Sequence, residues 1–221
     1  TSPVSLAFED VSFAYPGREA TLQHINMTLK QGEEAVIVGQ SGSGKTTLLR
    51  LISGMLLSTS GSLRINAIPI TECDLSSLRQ HIRIVHADDI LFTGSILDNL
   101  SCFDSAPDKE RVIAACRLAE IDHVVARLPH GYETELLPGN TFFSAGEMQR
   151  LVLARALYSQ PKLLLCDEVT ANLDKTTAQK VLANLRGLGI GLVFVTHSPD
   201  VVGCHGRLYT MENGTLRESE Q

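Results

Sequence analysis

The sequence predicts an α/β fold: a phosphate-loop core with a mixed, mainly parallel sheet, an N-terminal antiparallel β-subdomain and an inserted helical subdomain. Three observations carry this expectation. Apolar runs of strand length at 34–38, 163–166 and 191–196 are separated by helical patterns, as in a parallel sheet covered by helices. The first run leads into Gly39-x4-Gly44-Lys45-Thr46, followed by Leu48, Leu49, Leu51 and Ile52 at helical spacing, the strand–turn–helix context of a phosphate-binding loop. Residues 86–158 lack a comparable strand series and read as mainly helical. The expected division is one domain over 1–221, with 1–85 and 159–221 forming the core and 86–158 the helical subdomain.

Each element has a local reason. Residues 4–8 and 11–15 alternate with strand period before Pro16-Gly17, and 21–29 forms a further strand through Leu22, Ile25, Met27 and Leu29. These make an antiparallel sheet leaning on the strand that feeds the phosphate loop. The helix after the loop ends near Gly54, and 61–65 is a short strand. Asp74-Leu-Ser-Ser-Leu78 predicts a brief helix, then the strand 82–85, then a loop over 86–95 anchored by Leu91-Phe92. Helical character begins at Ser95. Pro107 stands where a first helical turn would start, ahead of Val112, Ile113, Cys116 and Ala119, and Ile121 to Leu128 makes another helix before the loop 132–143.

Ser144-x-x-Glu147 is a capping box that opens a helix containing Met148, Leu151, Val152 and Leu157, ended by Pro161. Asp174 caps a helix over 175–186, broken by Gly187 and Gly189. The segments 207–212 and 215–218, joined by Asn213-Gly214, predict a hairpin.

Composition narrows the classes. Hydrophobic residues make up 43% and charged residues 20%, as in an ordinary globular chain, and no apolar run approaches membrane-spanning length. The formal charge of −6 speaks against general nucleic-acid binding. Five scattered cysteines without C-x-x-C spacing fit reduced thiols, and seven histidines form no ligand cluster.

The chemistry centres on Gly39, Gln40, Ser41, Gly42, Ser43, Gly44, Lys45, Thr46 and Thr47. The glycines let successive amides curl inward, and the helix beginning near Lys45 adds its unpaired N–H groups. Lys45 reaches the outer phosphates, and the Thr46 hydroxyl ligates Mg²⁺. Such a loop alone permits a kinase, a GTPase or a motor. It needs a metal-ordering acid and a group to place water. Asp167, ending the strand 163–166, suits water-mediated contact with Mg²⁺ opposite Thr46, and Glu168 suits orientation of the attacking water. His197 ends the next buried strand, at the carboxyl edge where parallel sheets bind ligands. Tyr15 is either a half-buried sheet residue or an aromatic that stacks on a base.

Together these stretches resemble the nucleotide-binding domain of an ATP-binding-cassette transporter, a P-loop ATPase, over essentially the whole chain, and are most similar to exporters. The residues carrying the resemblance are Phe8 to Gly17, Gly39 to Thr46, Leu163 to Glu168, His197, Ala171-Asn-Leu-Asp174, Leu91 to Leu100 and Gly131-Tyr-Glu-Thr134. The resemblance implies ATP and Mg²⁺ as ligands, adenine stacking on Tyr15, and Glu168 and His197 as catalytic groups. It implies a head-to-tail dimer in which Ser144, Ala145, Gly146 and Glu147 contact the partner's ATP and Asp174 lies in the dimer-interface loop. It further implies a transmembrane domain as partner, at the cytoplasmic face of a membrane, the bacterial inner membrane being expected, with this chain an excised domain of a longer protein.

The sequence also departs from the family. The signature reads Phe143-Ser-Ala-Gly-Glu147 in place of Leu-Ser-Gly-Gly-Gln, the loop glutamine aligns with Ala87, and a glutamate expected before Gly139 aligns with Pro138. Lys45, Thr46, Asp167, Glu168 and His197 are retained. The expected function is ATP hydrolysis driving export. The alternatives are a weakly hydrolysing regulatory subunit of a heterodimer and a non-transport cassette ATPase.

Overall fold

The computed structural model describes residues 4–86, 88–137, 143–197, 199–203 and 205–219. Ala87, Pro138, Gly139 and Cys204 lie outside them. The chain forms two compact units, the first comprising 1–84, 161–168 and 189–221, the second 85–160 and 169–188. The expected boundaries assigned 159–221 wholly to the core. The structure instead groups 169–188 with the helices, and within that unit Asn184 Nδ2 donates to Leu118 O at 3.1 Å and to Glu120 Oε1 at 2.9 Å.

The first unit holds two sheets. β1 (Leu6–Ala14), β2 (Ala20–Leu29), β4 (Ser60–Ile65) and β5 (Ile68–Pro69) pair antiparallel in the order β2-β1-β4-β5. The two segments expected at 4–8 and 11–15 are one strand. Asp10 takes a left-handed φ of 52°, and the pairing shifts register there, so the alternation breaks without the strand ending.

The second sheet has the order β12-β11-β3-β10-β9-β6. Its strands are β3 (Glu34–Val38), β6 (Ile82–Val85), β9 (Leu163–Asp167), β10 (Gly191–Thr196), β11 (Arg207–Glu212) and β12 (Thr215–Ser219). β11, β3, β10 and β9 run parallel, with β12 antiparallel at the edge. Every residue of β10 is buried, which explains its unbroken apolar run. The inner faces of both sheets and helix α1 (Lys45–Ile52) share one core that includes Phe8, Leu22, Ile25, Ile37, Leu49 and Val193. Helix α2 (Leu75–His81), capped by the Asp74 carboxylate on Ser77 N, and helix α8 (Pro199–Val202) complete this unit.

The second unit is helical apart from the two-residue strands β7 (Gly94–Ser95) and β8 (Glu135–Leu136), which pair with each other inside what read as loops. Its helices are α3 (Ile96–Leu100), α4 (Lys109–Leu118), α5 (Asp122–Val125), α6 (Ala145–Tyr158) and α7 (Lys175–Arg186). Pro107 stands one residue ahead of the true cap, Asp108, whose carboxylate accepts from Arg111 N. The helix expected to reach Leu128 stops at Val125, because the following amides of Arg127 and Leu128 bond three residues back instead of four.

The Leu91-Phe92 anchor is also corrected. Phe92 is 56% exposed, and the loop is held by polar contacts instead. The buried Asn99 side chain accepts from Phe92 N at 2.6 Å and donates to Phe92 O at 2.9 Å and Ser95 O at 3.0 Å.

Candidate functional site

The parallel register brings the candidate side chains together. Thr196 pairs with Val38, and Val195 with Asp167, so three strands end side by side where the phosphate loop leaves β3. Gly44 starts α1 at φ 111° with no side-chain cap, whereas α2, α3, α4, α6 and α7 are all capped by a side chain. The first-turn amides of α1 are therefore left to an external acceptor. A side chain at Gly44 would meet Leu22 Cδ2 at 2.7 Å, so glycine also lets the loop pack on β2.

Lys45 is buried, and its Nζ donates to Gly39 O at 2.6 Å and Gln40 O at 2.7 Å. Burial lowers its pKa, partly offset by the nearby Glu168 and Asp167 carboxylates. An ammonium held in the mouth of its own loop is placed to exchange carbonyl oxygens for phosphate oxygens. Thr46 Oγ1 donates to Asp167 Oδ2 at 2.9 Å, which puts two hard oxygen donors side by side. That pair suits Mg²⁺.

Glu168 turns away from Asp167. Its backbone is left-handed at φ 55°, with its N–H on Val195 O at 2.9 Å. Its carboxylate accepts from Thr196 Oγ1 at 3.4 Å and lies 3.3 Å from His197 Nε2. His197 is 47% exposed at the side chain and thus open to a ligand. Thr196, buried at the end of β10, was not singled out by the sequence, where a threonine closing an apolar run carries no distinct signal. Tyr15 is half-buried, edge-on to Phe13 at 4.9 Å between centroids, with its hydroxyl 3.3 Å from Thr47 Oγ1.

A polar cleft of about 310 Å³ follows the loop, lined by Val38 to Ser43 and by Thr210 to Asn213. A larger cavity of about 410 Å³, between Asn66, Cys73 and His81, has no loop amides or buried lysine in its lining and none of the phosphate chemistry.

The residues expected to face a partner lie in the second unit. Ser144 Oγ donates to Glu147 Oε2 at 2.8 Å, Ser144 N donates to the same oxygen at 2.8 Å, and Glu147 N donates to Ser144 Oγ at 3.3 Å. The capping box read from the spacing is present. Ser144 and Ala145 are exposed. Gly146 packs against the 171–174 loop, where a methyl group would lie 2.5 Å from Asn172 O. Gln149, buried and absent from the sequence reading, accepts from Asn172 N at 3.4 Å through Oε1. Asp174 caps α7 through Thr177 N at 3.0 Å, and the Thr177 hydroxyl, followed by its amide, lowers the Asp174 pKa. Among the described residues no cluster of histidine, cysteine and carboxylate side chains could hold a metal by itself.

A family model described as ABC transporter matches residues 22–171. A lactococcin transport/processing ATP-binding protein of Lactococcus lactis subsp. lactis (strain IL1403), LcnC-like, is 37% identical over 99% of this chain and 31% of its own length. A mycobactin import ATP-binding/permease protein, IrtB, of Mycolicibacterium thermoresistibile is 39% identical over 80% of this chain and 31% of its own length. The structure of a bacterial Atm1-family ABC exporter with ATP bound superposes with a TM-score of 0.92 at 30% identity, over 99% of this chain and 39% of that one. The chain thus spans about a third of the length of the relatives it matches.

Proposed function

Because this chain belongs to the ABC transporter family, as its nucleotide-binding ATPase domain, we propose that it binds ATP with Mg²⁺ and hydrolyses it to power export through a transmembrane domain. One arrangement carries the reading: Thr46 and Asp167 meet at 2.9 Å on one side of the β9 end, and Glu168 and His197 stand 3.3 Å apart on the other. The loop amides and Lys45 hold the phosphates, and Tyr15 offers its ring to the adenine. Thr46 would hold Mg²⁺ directly and Asp167 through water. The bound metal would neutralise charge on the outer phosphates.

Glu168 orients the attacking water and accepts its proton, and His197 donates to the γ-phosphate. A second nucleotide-binding domain, head-to-tail with this one, presents its own residues equivalent to Ser144–Glu147 to that phosphate, with Asp174 in the interface loop. The site works at the cytoplasmic face of a membrane, the bacterial inner membrane in this reading. No described helix is long and apolar enough to cross a membrane; in this reading another segment or chain supplies the span. One relative is named for import, and in this reading cargo and direction are chosen outside this domain.

A regulatory, weakly hydrolysing subunit of a heterodimer is the second reading, favoured by Ala145 and Glu147 at the helix start offered to the partner. Glu168→Gln separates them. On the first reading it lowers steady-state turnover by at least about 10²-fold while ATP binding, followed with a fluorescent analogue, is undiminished. Unchanged turnover in that variant would remove Glu168 from its assigned role.

A further inference from the structure

We infer that Glu147 is a positioning residue that withholds the Ser144 hydroxyl from a phosphate held by the opposite subunit, which makes this chain a weak completer of its partner's site. The inference rests on the proposed head-to-tail reading and adds to it a built-in, local restraint. A serine hydroxyl has one proton to give. Here that proton goes to Glu147 Oε2 at 2.8 Å, while the oxygen accepts from Glu147 N at 3.3 Å. Phosphate oxygens only accept, so Ser144 serves them only after releasing the carboxylate.

The carboxylate is a strong rival. It is anionic, takes a second bond from Ser144 N at 2.8 Å, and lies in the first turn of α6, where an incoming anion would also be drawn. The Ser144 amide holds its pKa below the usual carboxylate range, with the hydroxyl and Arg150 contributing, so it stays charged at neutral pH.

The chain contains a second such box, Ser95–Asp98 at the start of α3, with Ser95 Oγ donating to Asp98 Oδ2 at 2.7 Å. Ser95 is buried, and there the device can only shape the fold. Ser144 is exposed, and the same bonds occupy a hydroxyl that a partner can reach. Glutamine at 147 would keep the box and replace the anionic acceptor by a weaker neutral one.

The test is a double-mutant cycle on ATP-driven dimerisation of this chain, measured by sedimentation velocity in the Glu168→Gln background. Glu147→Gln is expected to lower the ATP concentration for half-maximal dimer about tenfold. Ser144→Ala is expected to raise it by less than about twofold with Glu147 present, and by about tenfold with glutamine there. Urea melts of each variant give the cap contribution separately, since a purely structural cap shifts melting and makes the two serine effects equal. Equal effects of Ser144→Ala in both backgrounds, or no tightening by Glu147→Gln, overturn the inference while leaving the shared site standing. If Glu168→Gln binds ATP and neither it nor the Glu147→Gln variant dimerises, self-pairing of this chain fails, and this inference with it, while a shared site with a different subunit stands.

Discussion

Glu168 takes a backbone conformation that costs a side-chain-bearing residue about 1–2 kcal/mol, held by its N–H on Val195 O. The turn separates two neighbouring carboxylates, one committed to Thr46 and the other to Thr196 and His197. Strain at a strand end that aims an acid is the kind that functional sites retain. Thr196→Val removes the hydroxyl that bonds the Glu168 carboxylate and nearly preserves shape. Turnover is expected to fall about three- to tenfold, the worth of one modest hydrogen bond, without weaker ATP binding. Steady-state ATPase beside nucleotide titration checks this, and unaltered turnover would make Thr196 a packing residue only. Asp167 and Glu168 stand out in the sequence as candidates because a phosphate loop lies upstream of two acids at a strand end. Thr196 does not, because its bond to Glu168 depends on the strand beside it.

At the scale of elements, α6 illustrates what short-range spacing can and cannot say. Its capping box joins residues three apart, so the sequence revealed it. The reason for Gly146 is a contact with Asn172, 26 positions away, which no local pattern contains. Gly146→Ala places a methyl group 2.5 Å from Asn172 O, and backbone there must give way. The expected loss is about 1–3 kcal/mol in urea unfolding, against near neutrality or a gain for an unconstrained helical glycine. A stabilised variant would mean that the 171–174 loop moves aside freely. The stretch 88–95 shows the converse: the apolar pair Leu91-Phe92 suggests an anchor, but the buried Asn99 side chain bonds the Phe92 and Ser95 backbone, and the Phe92 ring stays outside near Arg155 and Phe103.

Across the whole molecule the thiols report on each unit. Cys166 in β9 is buried in the first unit, where burial pushes its pKa strongly up, and Cys116 in α4 is buried in the second, with its pKa raised to about 12. At pH 8 a thiol of that pKa is roughly 10⁻⁴ ionised, so both are expected to resist maleimide in the folded chain, while the exposed Cys102 reacts at once. Mass spectrometry of labelled peptides across a urea series reads both units, and rapid native labelling of Cys116 would show that the helical unit opens readily. What the sequence carried alone was everything written within a few residues: the glycine loop with its flanking strand and helix, the caps at Ser144 and Asp174, and the buried runs of β3, β9 and β10. Such features depend on backbone hydrogen bonds and side chains within a turn of one another, and their spacing survives in one dimension. The tertiary structure alone decided the strand register that sets Thr196 beside Val38 and Asp167 beside Val195, and the grouping of α7 with the helical unit. An amphipathic pattern states that a face is buried, but its partner is chosen by which complementary surface the folded chain brings to it.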